Sequence, residues 1–228
     1  GNAPFLGPMT YAYHFDAGRL AGFLKKTAIG NGVKHLVGTV GEVVLGEDGA
    51  ISHVTTSEHG ALSARLFIDC SGFRGLLIEQ ALGEKFRSLN DTLFVDRAVA
   101  IQVPYDRPDA PVNVATTSTA HEAGWTWDIP LLDRRGIGYV YSSSHTDDDR
   151  AEQVLRAYIG PAAEGLAARR LQLRVGERRN NWVKNCVAIG LSAGFLEPLE
   201  STGIMMSEVA AHLISLLYTP SGDMGAAA

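Results

Sequence analysis

The sequence has little cysteine and no metal or redox motif. Only Cys70 and Cys186 occur, each in an apolar, strand-like run, with no C-x-x-C and no H-x-x-x-H among seven scattered histidines. The reading is two reduced, buried thiols in a cytoplasmic protein without a metal site. No apolar run reaches the ~18 residues that a membrane-spanning helix needs. Residues 1–9 lack the charged and apolar regions of a secretory leader. Basic charge is scarce as well: 20 Lys and Arg stand against 25 Asp and Glu, for a net charge of −5. That excludes a general nucleic-acid surface, which needs a basic face. No Walker A motif is present. Gly30-Asn31-Gly32-Val33-Lys34-His35 begins like a dinucleotide fingerprint, but it lacks the third glycine and follows a helix rather than a strand.

What the sequence has is material for a core. Its 228 residues are 46% apolar and 20% charged, enough for one large domain or two small ones. Residues 16–32 read as a helix with Asp16 as N-cap, with Leu20, Phe23, Leu24 and Ala28 on one face and Gly30-Asn31-Gly32 as the stop. Strand-like runs follow at residues 35–45, 51–56 and 62–70, the first two joined by the hairpin signal Asp48-Gly49. Residues 98–103, 124–129 and 138–141 read as an antiparallel sheet. Residues 147–159 and 161–170 read as helices, with the acids 147–149 at a solvated helix start. Strands are expected again at 171–175 and 182–189, then an apolar helix at 208–217. The fold class is α/β. The chain leaves an α/β layer near Phe73, builds an antiparallel sheet and returns near Trp182, which suggests a cleft between the two layers.

Three runs are candidates for chemistry. Gly190-Leu191-Ser192-Ala193-Gly194 has the letters of a hydrolase nucleophile elbow. Pro198 would interrupt the helix that an elbow needs, and the one downstream histidine, His212, lies within an apolar helix. Phe195-Leu196-Glu197-Pro198-Leu199-Glu200-Ser201-Thr202-Gly203-Ile204 places two carboxylates and two hydroxyls just before a helix. Ser201 and Thr202 are natural caps. The unpaired N–H groups of the first turn favour a small anion, Gly203 lets it approach closely, and Glu200 can accept a proton or stabilise a cation. A plain capped helix fits the same residues. Gly124-Trp125-Thr126-Trp127-Asp128-Ile129-Pro130 puts two indoles on one strand face, as a core contact or as an aromatic wall for a flat ligand.

Together these runs resemble the flavin-dependent tryptophan halogenase family. The likeness rests on Gly124-Trp125-Thr126-Trp127-Asp128-Ile129-Pro130, the family's W-x-W-x-I-P signature. It continues in Trp182-Val183-Lys184-Asn185-Cys186-Val187-Ala188-Ile189-Gly190 and in residues 195–204. Tyr11-Ala12-Tyr13-His14-Phe15-Asp16 and Asp69-Cys70-Ser71-Gly72-Phe73 also match, so the likeness covers most of residues 5–219.

The resemblance implies a partial FAD-binding, flavoprotein-monooxygenase-like fold with an inserted antiparallel substrate sheet. Residues 1–92 would be part of the FAD-binding domain. Residues 93–181 would form the substrate and tunnel sheet, and 182–228 the return to the FAD domain with the halide and flavin loop. In the family, reduced FAD and oxygen convert chloride or bromide to hypohalous acid, which travels through a tunnel to a lysine and halogenates an electron-rich ring. Glu200 would lie near that lysine and the reacting carbon, and Ser201 would couple the two halves of the site. The backbone of Thr202 and Gly203 would hold the halide. Val40, Leu191, Gly203 and Ile204 would contact the flavin, and Trp125 and Trp127 would lie against the tunnel. The glycine fingerprint and the lysine would precede Gly1, and the aromatic substrate cap would follow Ala228, so this chain alone would be inactive. The implied partners are a small aromatic substrate, a separate flavin reductase and, as an option, a second copy in a homodimer. An FAD-dependent aromatic hydroxylase that uses no halide and a non-catalytic scaffold piece are the alternatives.

Overall fold

The computed structural model describes residues 12–199 and 201–218. In chain order the elements are helix α1 (Ala17–Gly30), strands β1 (Val40–Leu45), β2 (Ile51–Thr56), β3 (Gly60–Leu62) and β4 (Phe67–Asp69), then β5 (Phe86–Ser88), β6 (Arg97–Pro104), β7 (Thr117–His121), β8 (Gly124–Pro130) and β9 (Arg134–Tyr141). Helix α2 (Asp148–Ile159), β10 (Arg169–Gln172), β11 (Gly176–Arg178), β12 (Trp182–Val183), β13 (Cys186–Ala188), β14 (Gly194–Phe195) and helix α3 (Gly203–Leu217) complete the fold. The mixed α/β class expected from the pattern is what forms. No described helix is long and apolar enough to cross a membrane.

The chain divides into two compact units. One holds residues 1–35, 99–139 and 147–170, and the other holds 36–98, 140–146 and 171–228. A five-stranded sheet runs in the order β10-β6-β9-β8-β7, and three-stranded sheets run β1-β2-β3, β14-β11-β5 and β12-β13-β4. In the first unit Val99, Ile101, Val103, Ile137 and Tyr139 are buried, as are Ala151 and Leu155 of α2. The second unit packs Ile51, Val54, Phe67, Ile78, Cys186 and Ala188 into one cluster, with Val43, Leu62 and Leu77 against it.

Caps and turns decide the local structure. Asp16 caps α1 by accepting from Arg19 N at 2.9 Å, and Asp147 caps α2 by accepting from Arg150 N at 2.7 Å. Asp16 was expected in this role, whereas Asp147 was expected only as one of the acids at a solvated helix start. The Asp48-Gly49 turn forms, with Gly46 N donating to Ala50 O and Gly49 left-handed. The apolar face expected for α1 exists, but none of its residues is buried, and Phe23 is 65% exposed.

Five expectations are corrected. Residues 35–39 are not strand, because side chains take their backbone groups: Glu58 accepts from Thr39 N at 3.0 Å and the His59 ring bonds Val37 O at 2.9 Å. The run 62–70 breaks between β3 and β4. Residues 161–170 are not a helix, since the left-handed Gly160 and Gly165 leave room only for a 3-10 turn (Gly160–Ala163) before β10. Residues 182–189 form a hairpin, β12 and β13, turned at Lys184 with φ +54°. Cys70 is exposed at the end of β4, whereas Cys186 is buried, and both thiols are free. Burial, then the charge of Asp69, pushes the Cys186 thiol up to about 12.

Candidate functional site

Among the described residues, the segment after β14 makes few regular hydrogen bonds. Glu197 turns back to accept from Leu199 N at 3.1 Å, and Ser201 N donates to Pro198 O at 3.0 Å. Ser201 is left-handed, with φ +52°, which strains a residue that carries a Cβ. It delivers the chain to Thr202, the N-cap of α3. The Thr202 hydroxyl makes no capping bond, contrary to the expectation for a threonine there. The first helical bond runs from Met206 N to Thr202 O at 2.8 Å. The N–H groups of Gly203, Ile204 and Met205 therefore have no acceptor within the helix. A Cβ added at Gly203 would meet nothing within 4 Å, and its φ is not left-handed. Among the described residues, neither packing nor backbone conformation demands glycine there. Glu200, the carboxylate expected beside this turn, lies outside the described residues.

Gly190, Leu191 and Ser192 form a single 3-10 turn after β13, with Gly190 at φ +63°. Ser192 is fully buried, its hydroxyl lying against the carbonyl oxygens of Ile189 and Asp69. It faces away from solvent and pairs with no histidine, so the elbow reading is discarded. Leu191 projects outward at 42% exposure. Two other residues expected against a flavin ring, Val40 and Ile204, are 37% and 52% exposed. Val40, Leu191, Thr202, Gly203 and Ile204 all belong to the second unit. These three apolar side chains are each partly exposed, and among the described residues the first N–H groups of α3 have no helical acceptor.

Trp125 and Trp127 belong to the first unit. They do share a face of β8, with ring centroids 6.2 Å apart and planes at 64°. A Cβ at Gly138 would lie 2.1 Å from the Trp127 ring, so Trp127 lies flat in a trench that Gly138 opens in β9. The opposite face of β8 buries Thr126 and Asp128, and Asp128 takes two hydrogen bonds from Arg135.

Beneath the Gly190 turn is a buried polar network that sequence reasoning missed. The Asp69 carboxylate accepts from Ser71 N at 2.9 Å, Leu77 N at 2.8 Å and Ile78 N at 2.9 Å. It thereby caps a π-helical segment, Leu76–Ala81. Burial pushes this carboxyl up, but bonds from Ser71, Ile78 and Leu77 outweigh burial and hold it below the ordinary value. Glu79 takes both terminal nitrogens of Arg174, at 2.6 and 2.8 Å, and one from Arg178 at 2.6 Å. Arg174, then Arg178, brings its carboxyl down to about 2. Phe86 lies under both guanidiniums, 4.1 Å from Arg174 and 5.5 Å from Arg178. The only sequence signal was Asp69-Cys70-Ser71-Gly72, read as a strand end.

Each unit also has an open cleft. That of the first, about 300 Å³, is lined by Phe15, Asp16, Arg19, Phe23 and Asp133 among others. That of the second, about 460 Å³, is lined by Phe73, Phe86, Arg97 and Arg174 among others. Neither is lined by the residues expected to hold halide or flavin. No cluster of metal-binding side chains is found among the described residues.

A family model described as tryptophan halogenase matches residues 1–226. The chain belongs to the tryptophan halogenase family. It is 49% identical over 215 residues to tryptophan 6-halogenase SttH of Streptomyces toxytricini, covering 93% of this chain and 40% of that protein. It is 52% identical over 215 residues to 7-chloro-L-tryptophan 6-halogenase KtzR of Kutzneria sp. (strain 744), covering 93% and 41%. A solved structure, the tryptophan C-6 flavin-dependent halogenase Tar14 from taromycin biosynthesis, superposes with a TM-score of 0.89 at 51% identity, over 92% of this chain and 42% of that one. This tryptophan halogenase chain therefore spans about two fifths of the length of the relatives it matches. Its fold is that of the flavin-dependent halogenases.

Proposed function

We propose that the protein containing this chain is an FADH2- and O2-dependent halogenase of an electron-rich aromatic, tryptophan or another indole, acting in the cytoplasm. The observation that carries the reading is the family match over residues 1–226, which includes the open first turn of α3 and its run Glu200-Ser201-Thr202-Gly203. In this reading the backbone N–H groups of Thr202 and Gly203 hold chloride or bromide, since a helix N-terminus favours a small anion. Val40, Leu191 and Ile204 offer apolar contact to the isoalloxazine, with the Gly203 backbone close by. When bound, reduced FAD with oxygen supplies the oxidising equivalents that turn halide into an electrophilic halogen. Glu200 accepts the proton that leaves the ring carbon as the carbon–halogen bond forms. Ser201, held left-handed between Pro198 and Thr202, sets the spacing of carboxylate and halide. Trp125 and Trp127 wall the tunnel from flavin to substrate. A separate flavin reductase supplies the reduced cofactor.

The test is the product mass from the full-length protein, given FADH2, oxygen and tryptophan or indole, with chloride, bromide or neither. Halogenated product that requires the halide supports the reading. A hydroxylated product that forms without halide would replace it with the hydroxylase reading.

A further inference from the structure

We propose that Arg178 is a positioning residue that fixes the 189–204 segment, and with it the affinity of the halide site at the start of α3. The inference rests on the function proposed above for that segment. Among the described residues between β13 and α3, the regular structure consists of one 3-10 turn and the two-residue strand β14. The place of this segment must come from what it is attached to. Ile189 N and the Ser192 hydroxyl hold its start to Asp69 O, and its next attachments converge on β11. Gly176 and Glu177 pair with Phe195 and Gly194, and Arg178 N donates to Ala193 O at 3.1 Å. The approach is close: a Cβ at Gly194 would lie 2.8 Å from Gly176 O.

The Arg178 side chain adds a second attachment from underneath. Its guanidinium is fully buried and meets three acceptors from two parts of the chain. Nε donates to Ser192 O at 2.5 Å, Nη1 to Glu84 O at 2.8 Å and Nη2 to Glu79 Oε2 at 2.6 Å. The turn is thereby tied to the π-helical segment and to the residues just after it. The turn also lies beside α3, with Ser207 Oγ, one helical turn beyond Gly203, 3.5 Å from the position a Cβ of Gly190 would take. In the proposal, a shift of the turn reaches the helix start through this neighbouring placement.

Only arginine fits this role. Its planar fork sends donors in three fixed directions, whereas a lysine ammonium satisfies one or two of these acceptors and leaves the others buried and unpaired. Stability alone does not explain it, because a buried ion pair often contributes no more than well-packed apolar side chains. What the fork supplies is a unique placement. Displacements of about 1 Å in a site can change rates by about 100-fold, so placement is what the halide site is sensitive to.

The experiment uses the full-length protein and compares Arg178→Lys with Leu155→Ala, a buried core truncation in the other unit. Amide hydrogen exchange and the chloride dependence of turnover are both measured. Arg178→Lys is expected to speed exchange across residues 189–204 by about 10-fold while leaving β8 unchanged, and to raise the chloride concentration at half-maximal rate by about 10-fold. Leu155→Ala is expected to lower Tm comparably and leave the chloride dependence within about twofold. If Arg178→Lys fails to fold, Gly75→Ala takes its place, since a Cβ there would lie 2.4 Å from Arg178 Nη2 and must displace the guanidinium. Unchanged exchange in 189–204 overturns the proposal, as does a chloride dependence that moves no more than in Leu155→Ala. If the unaltered protein shows no halide-dependent turnover, the proposed function fails. The exchange pattern still tests Arg178, and uniform or unchanged exchange overturns its role.

Discussion

At the scale of single residues the clearest electrostatic feature is Glu79. Its carboxyl falls from an ordinary 4.5 to about 2 because Arg174 and Arg178 both donate to it. The folded value lies below the unfolded one, so the charged form favours folding. The stabilisation is fully present above about pH 4.5 and is lost as pH falls through about 2. Allowing for partial solvent screening, Glu79→Gln is expected to lower stability by about 1–3 kcal/mol at pH 7. That difference should close as pH falls from 4.5 to 2. Urea denaturation of both proteins at pH 7 and pH 2.5 measures it, and an equal penalty at both would show that the lost charge is not the cause. Gly203 gives the opposite kind of prediction. None of the described residues lies where its Cβ would point, so Gly203→Ala should leave Tm nearly unchanged, within about 0.5 kcal/mol in stability. The added methyl crowds the N–H groups instead. The chloride concentration at half-maximal rate of the full-length protein should rise by about 10-fold, and an unchanged value would remove Gly203 from the halide site.

At the scale of elements, the β8 and β9 pair shows how a strand surface is shaped for one side chain. Trp127 occupies the space that a side chain at position 138 would need, with ring atoms 2.1–2.5 Å from the Cβ site. Gly138→Ala must push the indole out of its trench. The expected cost is about 1–3 kcal/mol, with a shift in the intrinsic tryptophan emission that measures the move directly. Emission and denaturation midpoint both unchanged would mean that the ring does not rest on Gly138. The indole pair was legible in the sequence because period-two spacing alone places Trp125 and Trp127 on one face. The cap Asp16 was legible for an equally local reason. What escaped was non-local or set by single backbone conformations. The left-handed Lys184 splits an apparently continuous strand, Gly165 ends an apparent helix, and Glu58 draws Thr39 away from a ladder. The candidate site divides the same way. The position of Thr202 as N-cap could be read from local sequence, whereas Arg178 and Glu79 are separated by 99 residues and no pattern joins them.

At the scale of the whole molecule, α3 bears on what the isolated chain can do. It is apolar nearly all round, yet Ile214 is its only buried residue. Ile204, Met205, Met206, Val209, Leu213, Leu216 and Leu217 are each about half exposed or more. A helix of that composition has the surface of one enclosed by other protein, and a patch of this kind favours association. The sequence holds neither a G-x-G-x-x-G fingerprint for a flavin pyrophosphate nor a lysine in the family's context, and it spans about two fifths of its relatives. In the function proposed above, this chain would supply the halide turn and apolar contacts to the flavin ring, and the pyrophosphate fingerprint and lysine would come from elsewhere in the full-length protein. The isolated 228-residue chain is therefore expected to bind a hydrophobic dye and to associate with rising concentration. Given FADH2, oxygen, chloride and tryptophan, it should yield no chlorinated product, while the full-length protein does so under the same conditions. Mass spectrometry of the two reactions checks this. Turnover by the isolated chain at a rate near that of the full-length protein would mean that these 228 residues retain the flavin unaided, and that the reacting halogen reaches the ring without the lysine.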